Sequence, residues 1–129
     1  MLLTGLLIAE HAETVNKKIN IYGGILDTWG IHPESMTGQF ELIMLLQASI
    51  EDEGRDYELS IEIIDPDGEV LGRSDQTITA DLGDGENRGL HQTIRTTFRR
   101  PGRHVFIVTA DGTTATVPLT IHIDPTVSP

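Results

Sequence analysis

Apolar and polar residues alternate at short intervals along most of the chain, which is typical of β-strands. The strongest pattern covers residues 40–50, where alternate positions are apolar: Phe40, Leu42, Met44, Leu46, Ala48 and Ile50. Leu, Met and Gln in this run also favour helix, but the neighbouring segments are strand-like, so we predict a core strand. A second run over residues 57–63 alternates apolar residues with Glu58, Ser60 and Glu62. It predicts a strand with one face in solvent.

Shorter patterns predict further strands over residues 4–10, 18–27, 69–72, 76–80, 103–110 and 117–123. Residues 29–33 are predicted to be a connection. Turn chemistry separates these segments at Asn16-Lys17-Lys18, at Asp65-Pro66-Asp67-Gly68 and at Asp111-Gly112, where Pro presets φ and Gly or Asp accepts a positive φ. Pro118 lacks a backbone donor, so it predicts an edge position or a bulge in the last strand.

The spacing of these segments predicts the fold class. Turn signals recur about every 8–12 residues and helix signals are weak, which favours an all-β, antiparallel, two-sheet β-sandwich of about eight or nine strands. A small β-barrel is the alternative. We predict one β-sandwich domain over residues 1–124, followed by a C-terminal tail over residues 125–129.

Composition and charge limit the function. The chain has 129 residues, no cysteine and a formal net charge of -11, so thiolate metal sites, disulfides and cysteine nucleophiles are excluded. An acidic surface repels phosphate backbones and anionic membranes, so we expect no nucleic-acid and no membrane partner. The apolar start of the chain lacks a basic region and is predicted to be a first strand, not a targeting segment. Together with the missing cysteines, this favours a cytoplasmic protein.

Several segments resemble a family of small uncharacterised bacterial proteins, a domain of unknown function. They are Leu6 to Glu10, Asn16 to Ile25 followed by Pro33, Ile63 to Gly68, and Arg100 to Phe106. The chain has Asn16-Lys17-Lys18 where a Gly-Lys pair is common in that family. The last segment is similar to the Pro-Gly-x-Tyr turn of many immunoglobulin-like sandwiches, with His104 in place of the aromatic residue. The resemblance implies an immunoglobulin-like β-sandwich and implies no activity.

Metal chemistry has two weak candidates. The glycine-rich loop with Asp81, Asp84, Glu86 and Asn87 has the oxygen ligands that calcium prefers, although its spacing is not that of an EF-hand and such residues also occupy ordinary loops. His91 and His104 would form a zinc or nickel site if they faced each other on paired strands. We expect no metal and no other cofactor.

Two groups of residues are candidates for protein contacts. Tyr22 and the single tryptophan, Trp29, form a binding patch if they are exposed, but the lone Trp of a small domain is more often in the core. Arg99, Arg100 and Arg103 form a basic cluster in an acidic protein, and the simpler interpretation is an ordinary basic loop.

No nucleophile–base pair, phosphate-binding loop or metal set occurs in the sequence, so we expect no enzymatic activity. Open sandwiches leave unpaired strand edges, which are either protected against pairing with other chains or serve to bind another chain. The sequence therefore favours a domain that acts through protein contacts, including contacts with itself as a homodimer or larger oligomer. The alternative is a small-ligand or carbohydrate-binding sandwich that uses loops at one end.

Overall fold

Nine strands and one 3-10 turn make up the ordered secondary structure in the computed structural model, which describes residues 1–81, 83 and 85–129. No α-helix occurs in these ranges. The elements are β1 (Leu2–Val15), β2 (Lys18–Gly24), β3 (Thr28–Ile31), β4 (Thr37–Gln47), the 3-10 turn (Ile50–Asp52), β5 (Asp56–Ile64), β6 (Val70–Thr79), β7 (Asn87–Thr97), β8 (Gly102–Ala110) and β9 (Thr113–Ile123).

The strands form two separate sheets, which confirms the predicted all-β sandwich and excludes the closed barrel. The first sheet has the order β2-β1-β4-β7 and the second has the order β3-β9-β8-β5-β6. Within these sheets, β1-β4-β7 and β9-β8-β5-β6 correspond to the A-B-E and G-F-C-C′ arrangements of immunoglobulin-like domains. The hairpin strand β2 is an addition to that plan.

One strand runs in a direction that the sequence did not predict. Most of β3 (Thr28–Ile31) falls in residues 29–33, which were predicted to be a connection, and this strand pairs in parallel with β9. The second sheet is therefore mixed, and the prediction of a wholly antiparallel sandwich needs this correction. The segment is only four residues long, and its partner residues Thr120 to Ile123 lie at the other end of the chain, so no local pattern indicates the pairing.

The predicted core face of β4 is buried between the sheets. Phe40, Leu42 and Met44 are at most 1% exposed, and they lie in one cluster with alternate residues of β5 and β8. Ile50 was predicted to share this face but is 82% exposed. The strand ends at Gln47, and the 3-10 turn begins just after Ser49, so the alternation no longer applies at residue 50.

The other local predictions have mixed outcomes. Gly68, Asp111 and Gly112 have positive φ angles of 85°, 48° and 76°, as the two predicted turns require. The segments 69–72 and 76–80, predicted to be two strands, form the single strand β6, which pairs with β5 along its length. The middle of β6 is polar and mostly exposed, so the sequence pattern does not show that the two segments form one strand.

Pro118 lies in a strand that is not an edge strand, because β3 lies outside β9. However, β3 pairs only with Thr120 to Ile123. Pro118 therefore precedes the paired stretch and occupies a locally open edge, where its missing N–H costs no ladder hydrogen bond.

Candidate interaction surface

A tight turn joins β1 to β2 and places the only two lysines of the chain at the end of a hairpin. Asn16 and Lys17 have φ angles of 53° and 64°, and Val15 pairs directly with Lys18 across the turn. Two central residues with positive φ are the arrangement whose twist matches a β-hairpin. The turn therefore directs β2 straight back along β1.

The distal part of this hairpin folds over the outer face of the first sheet. β1 pairs with β4 up to Ala9 and with β2 from Ala9 onward. The Ile19 side chain of β2 reaches β7: a Cβ placed on Gly89 would lie 2.5 Å from Ile19 Cδ1. Ala12, Ala9 and Ile43 form a small buried cluster, with Ile19 packed against it. We call residues 10–24 the hairpin arm.

A buried carboxylate connects the arm to the sheet. Glu41, on the outer face of β4, is only 6% exposed. Its Oε1 accepts a hydrogen bond from Thr93 Oγ1 at 2.5 Å, and its Oε2 lies 3.3 Å from His91 Nδ1. Because a carboxylate only accepts, His91 donates from Nδ1; in the neutral imidazole, Nε2 then accepts from Thr14 Oγ1 of the arm at 3.1 Å. No sequence motif indicates this group; the one signal is a glutamate within the apolar run of residues 40–46.

The outer side of the arm presents an exposed aromatic residue. The Tyr22 ring stacks on His11 with centroids 5.8 Å apart. Its hydroxyl donates to Glu13 Oε1 at 2.8 Å, and this hydrogen bond raises the pKa of Tyr22. Tyr22 is 48% exposed, and nearby Ile21 and Ile25 are 42% and 70% exposed. Apolar and aromatic side chains are thus concentrated on and beside β2.

The four sheet edges differ in their protection. β6 carries an ion-pair network in which Arg73 contacts Asp75 and Glu62, each at 3.1 Å. β3 has only four residues, and β7 carries two arginines. β2 has no charged residue after Lys18. Charged side chains and short edges prevent strand pairing between molecules, so β2 is the least protected edge of the described chain.

Trp29 and Tyr22 do not form a common patch. Trp29 lies in β3 of the second sheet, is half-buried, and contacts Phe40 edge-to-face with ring centroids 6.2 Å apart. Tyr22 lies in β2 of the first sheet. The tryptophan packs against the main core cluster, so its position is accounted for by packing.

Two of the three candidate arginines hold a turn in place. Arg99 lies 3.0 Å from Asp65 Oδ2, and Arg100 forms an ion pair with Asp67. Asp65 is buried and accepts the backbone N–H groups of Asp67 and Glu69 at 2.9 and 3.1 Å. Burial opposes ionisation of this carboxyl, but the two N–H groups and the arginines outweigh it and keep the pKa of Asp65 below its usual value. Arg103 is exposed on β8.

The proposed calcium loop lies partly outside the described residues, which exclude Asp84. Of the other candidates, Asn87 begins β7, and the backbone carbonyls of Asp81 and Asn87 accept hydrogen bonds from Arg88 at 2.6 and 2.8 Å. Glu86 is exposed. Within residues 1–81, 83 and 85–129, no group of three His, Cys, Asp or Glu side chains is positioned to hold a metal ion.

The hypothesis of a metal site between His91 and His104 is wrong. His91 belongs to β7 in the first sheet and His104 to β8 in the second. His104 is fully buried, contacts Phe98 edge-to-face, and lies with Nδ1 2.9 Å from the Gly102 carbonyl oxygen. Burial lowers the pKa of His104. It is a neutral core residue in the position where similar turns carry an aromatic ring.

Fold and surface together define a two-sheet, immunoglobulin-like β-sandwich with a hairpin arm packed on its outer face. The sequence model of a family of unknown function, DUF6941, matches residues 5–122. The chain belongs to this family, which confirms the resemblance derived from its strand and turn segments. A comparison with curated proteins gives no match. In the described part of the chain, no helix has the length and apolar character needed to cross a bilayer.

Proposed function

We propose that the protein is a non-enzymatic, cytoplasmic interaction domain that self-associates through the free edge of β2. The unprotected edge of β2 carries this proposal: it ends the first sheet, exposes Ile21 and Tyr22, and has no charged residue between Lys18 and Gly24. An open edge with exposed apolar side chains favours the addition of another strand. A second copy of the chain is the partner that we propose.

The geometry of β2 favours a symmetric antiparallel pair. The regular part of the strand lies between the turn and Gly23, whose φ is +64°. Its centre is Asn20, so a twofold axis there would place Asn20 opposite its own copy and Lys18 opposite Tyr22 of the second copy. The four-stranded first sheets of the two copies would then join into one sheet of eight strands. This interface is isologous, as in most homodimers.

Charge complementarity supports this register. Lys18, Asn20 and Tyr22 lie on the outer side of the arm, and Tyr22 Oη is bound to the Glu13 carboxylate. In the proposed pair, each Lys18 would therefore approach the Tyr22–Glu13 unit of the second copy, and this contact occurs twice. A parallel arrangement would bring like charges together. The antiparallel arrangement is the one that avoids repulsion in a chain of net charge -11.

A charge introduced at the centre of the strand tests the proposal. We expect the purified protein to have twice the chain mass of 14.2 kDa by light scattering, and Asn20→Lys to be a monomer because two ammonium groups would meet at the axis. Thr77→Lys, the same addition on the edge strand β6, is the matched control and should remain dimeric. A wild-type monomer at a concentration of about 1 mM, where weak homodimers form, or a dimeric Asn20→Lys variant, would exclude pairing through β2.

The sequence also suggested carbohydrate binding by Tyr22 and Trp29, and the positions of these residues give it no support. They lie on different sheets, and neither lines the two cavities next to Asp81 and Gly85. Of the three arginines in the basic cluster, Arg99 and Arg100 already pair with aspartates, so exposed Arg103 is the candidate for a contact with a partner protein. Arg103→Glu tests that contact separately, because the substitution should leave self-association through β2 intact.

A further inference from the structure

A cavity of about 650 Å³ opens at one end of the sandwich, beside the turn of the hairpin arm. It lies between that turn, the end of β6 and the start of β7. The residues that matter for its chemistry are Lys17, Leu46, Ala48, Ile78, Arg88 and Leu90. This volume is within the range of about 300–1,000 Å³ that is usual for small-molecule sites.

The inner part of the cavity is apolar. Leu46 and Ala48 come from the central strand β4 and its continuation and are each 3% exposed. Ile78 and Leu90 are half-buried and pack against the main core cluster. The strands β6 and β7 end different sheets, and the Gln76 amide donates to Gln92 at 2.7 Å across the space between them. This hydrogen bond joins the open edges of the two sheets beside the cavity.

The rim of the cavity is basic. Lys17, Lys18 and Arg88 line it, and none of the three forms an ion pair with a carboxylate of the described residues. Arg88 is held instead by the backbone carbonyls of Asp81 and Asn87, at 2.6 and 2.8 Å. Its guanidinium is therefore fixed in place by neutral oxygens. Asp81 is the acidic residue of the described lining, so three basic side chains against one carboxylate make the described part of this rim positive in a chain with 20 acidic and 9 basic residues.

We propose that this cavity binds a small amphipathic anion, such as a medium-chain acyl carboxylate, with its chain between the sheets and its head group at Lys17 and Arg88. An apolar interior gains from removing the chain from water, and a fixed guanidinium pairs with a carboxylate in a charge-assisted contact. The ligand is a free molecule, because a small anion meets only the positive rim, whereas an anionic bilayer would also face the surrounding acidic surface of a chain of net charge -11. This binding function is separate from self-association through β2.

Titration calorimetry with decanoate tests the proposal, with decanol and decyltrimethylammonium as neutral and cationic probes of equal chain length. We expect saturable binding of decanoate, at least tenfold weaker binding of decanol, and no binding of the cation. Lys17→Glu should weaken decanoate binding at least tenfold. Arg103→Glu makes the same charge change on β8 and should alter it less than twofold. Equal binding of all three probes, or no effect of Lys17→Glu, would overturn the assignment.

The position of the ligand needs an independent measurement. Amide shifts in the NMR spectrum on adding decanoate should be concentrated at Leu46, Ala48 and Leu90, and Leu90→Phe should reduce binding by partly filling the cavity. Thermal unfolding of each variant establishes that it is folded. Shifts confined to other strands would place the ligand elsewhere and refute the site. Co-sedimentation with phosphatidylglycerol vesicles would refute the free-ligand assignment, since it would identify the anion as a membrane lipid.

Discussion

Ile19 of β2 lies against Gly89 of β7, although two other strands separate β2 from β7 in the hydrogen-bonded order of the first sheet. The contact exists because the hairpin arm packs on the outer face of β4 instead of extending into solvent. Gly89 has no side chain, so the arm approaches the sheet closely at this position. A β-strand glycine that packs poorly by itself thus has a clear role in the fold.

Substitution of Gly89 tests how the arm is held. A Cβ at Gly89 would lie 2.5 Å from Ile19 Cδ1, so Gly89→Val should force Ile19 out of its present rotamer, loosen the arm and lower the free energy of unfolding by about 0.5–1.5 kcal/mol, the usual cost of a strained side-chain torsion. We expect faster amide hydrogen exchange in residues 10–24 and unchanged exchange in β5 and β8. Gly72→Val on β6 is the control, since a Cβ there meets nothing within 4 Å. Equal effects of the two variants would contradict the contact.

The sequence predicted those parts of the fold whose causes are local. Alternation identified β4 and β5, and turn chemistry identified Asp111-Gly112, because both depend on residues within a few positions of each other. The pairing of β3 with β9 was not predicted, because it joins segments about 90 residues apart. Ile50 was placed on the core face because the end of a strand depends on the turn that follows it.

The candidate site was predicted less well than the fold. Tyr22 was named as an interaction residue, and the structure places it on an exposed strand, but the sequence alone did not separate it from Trp29. The positions of Arg99 and Arg100 became clear only when their partners in the turn after β5 were known. Glu41 and His91 are 50 positions apart in the chain, and no motif connects them. A contact surface depends on which strands are neighbours, which local patterns do not contain.

The Glu41–His91–Thr14 connection gives a second prediction. His91→Ala removes the donor to Glu41 Oε2 and the acceptor for Thr14 Oγ1, which leaves a buried carboxylate with one fewer partner. We expect the free energy of unfolding to fall by about 1–3 kcal/mol, measured by urea denaturation, with faster hydrogen exchange in the arm. His122→Ala, at an exposed position of β9, is the control. A loss of stability with unchanged hydrogen exchange in residues 10–24 would show that the Thr14–His91 hydrogen bond does not hold the arm on the sheet.

His104 predicts how stability depends on pH below about 6.5, the usual pKa of a free imidazole. Burial lowers the pKa of this imidazole in the folded state, so the unfolded chain, with a usual value of about 6.5, binds more protons. The contribution of His104 to stability is therefore complete above about pH 6.5 and is lost as the pH falls through that value. In His104→Phe, which has no titrating ring beside Phe98, the slope of the unfolding free energy with pH should decrease. An unchanged slope would assign the dependence to other groups.

Asp52 predicts the behaviour of the protein in stronger acid. Tyr57 donates to its carboxylate, the backbone N–H of Ser49 donates to Oδ2 at 2.8 Å, and the α-ammonium of Met1 lies 3.3 Å away. The Tyr57 hydroxyl is the largest of these influences, and together they hold the pKa of Asp52 well below its usual value although burial opposes them.

Because this pKa is lowered in the folded state, the stabilisation from Asp52 is complete above about pH 4, the usual value for a free aspartate, and is lost as the pH falls further. Asp52→Asn should lower the midpoint of urea unfolding at pH 7 and flatten its decline below pH 4. Glu51→Gln, which removes the neighbouring exposed carboxylate, should do neither. If the two variants unfold with the same midpoint at every pH, the hydrogen bond from Tyr57 of β5 to Asp52 of the 3-10 turn does not stabilise the fold.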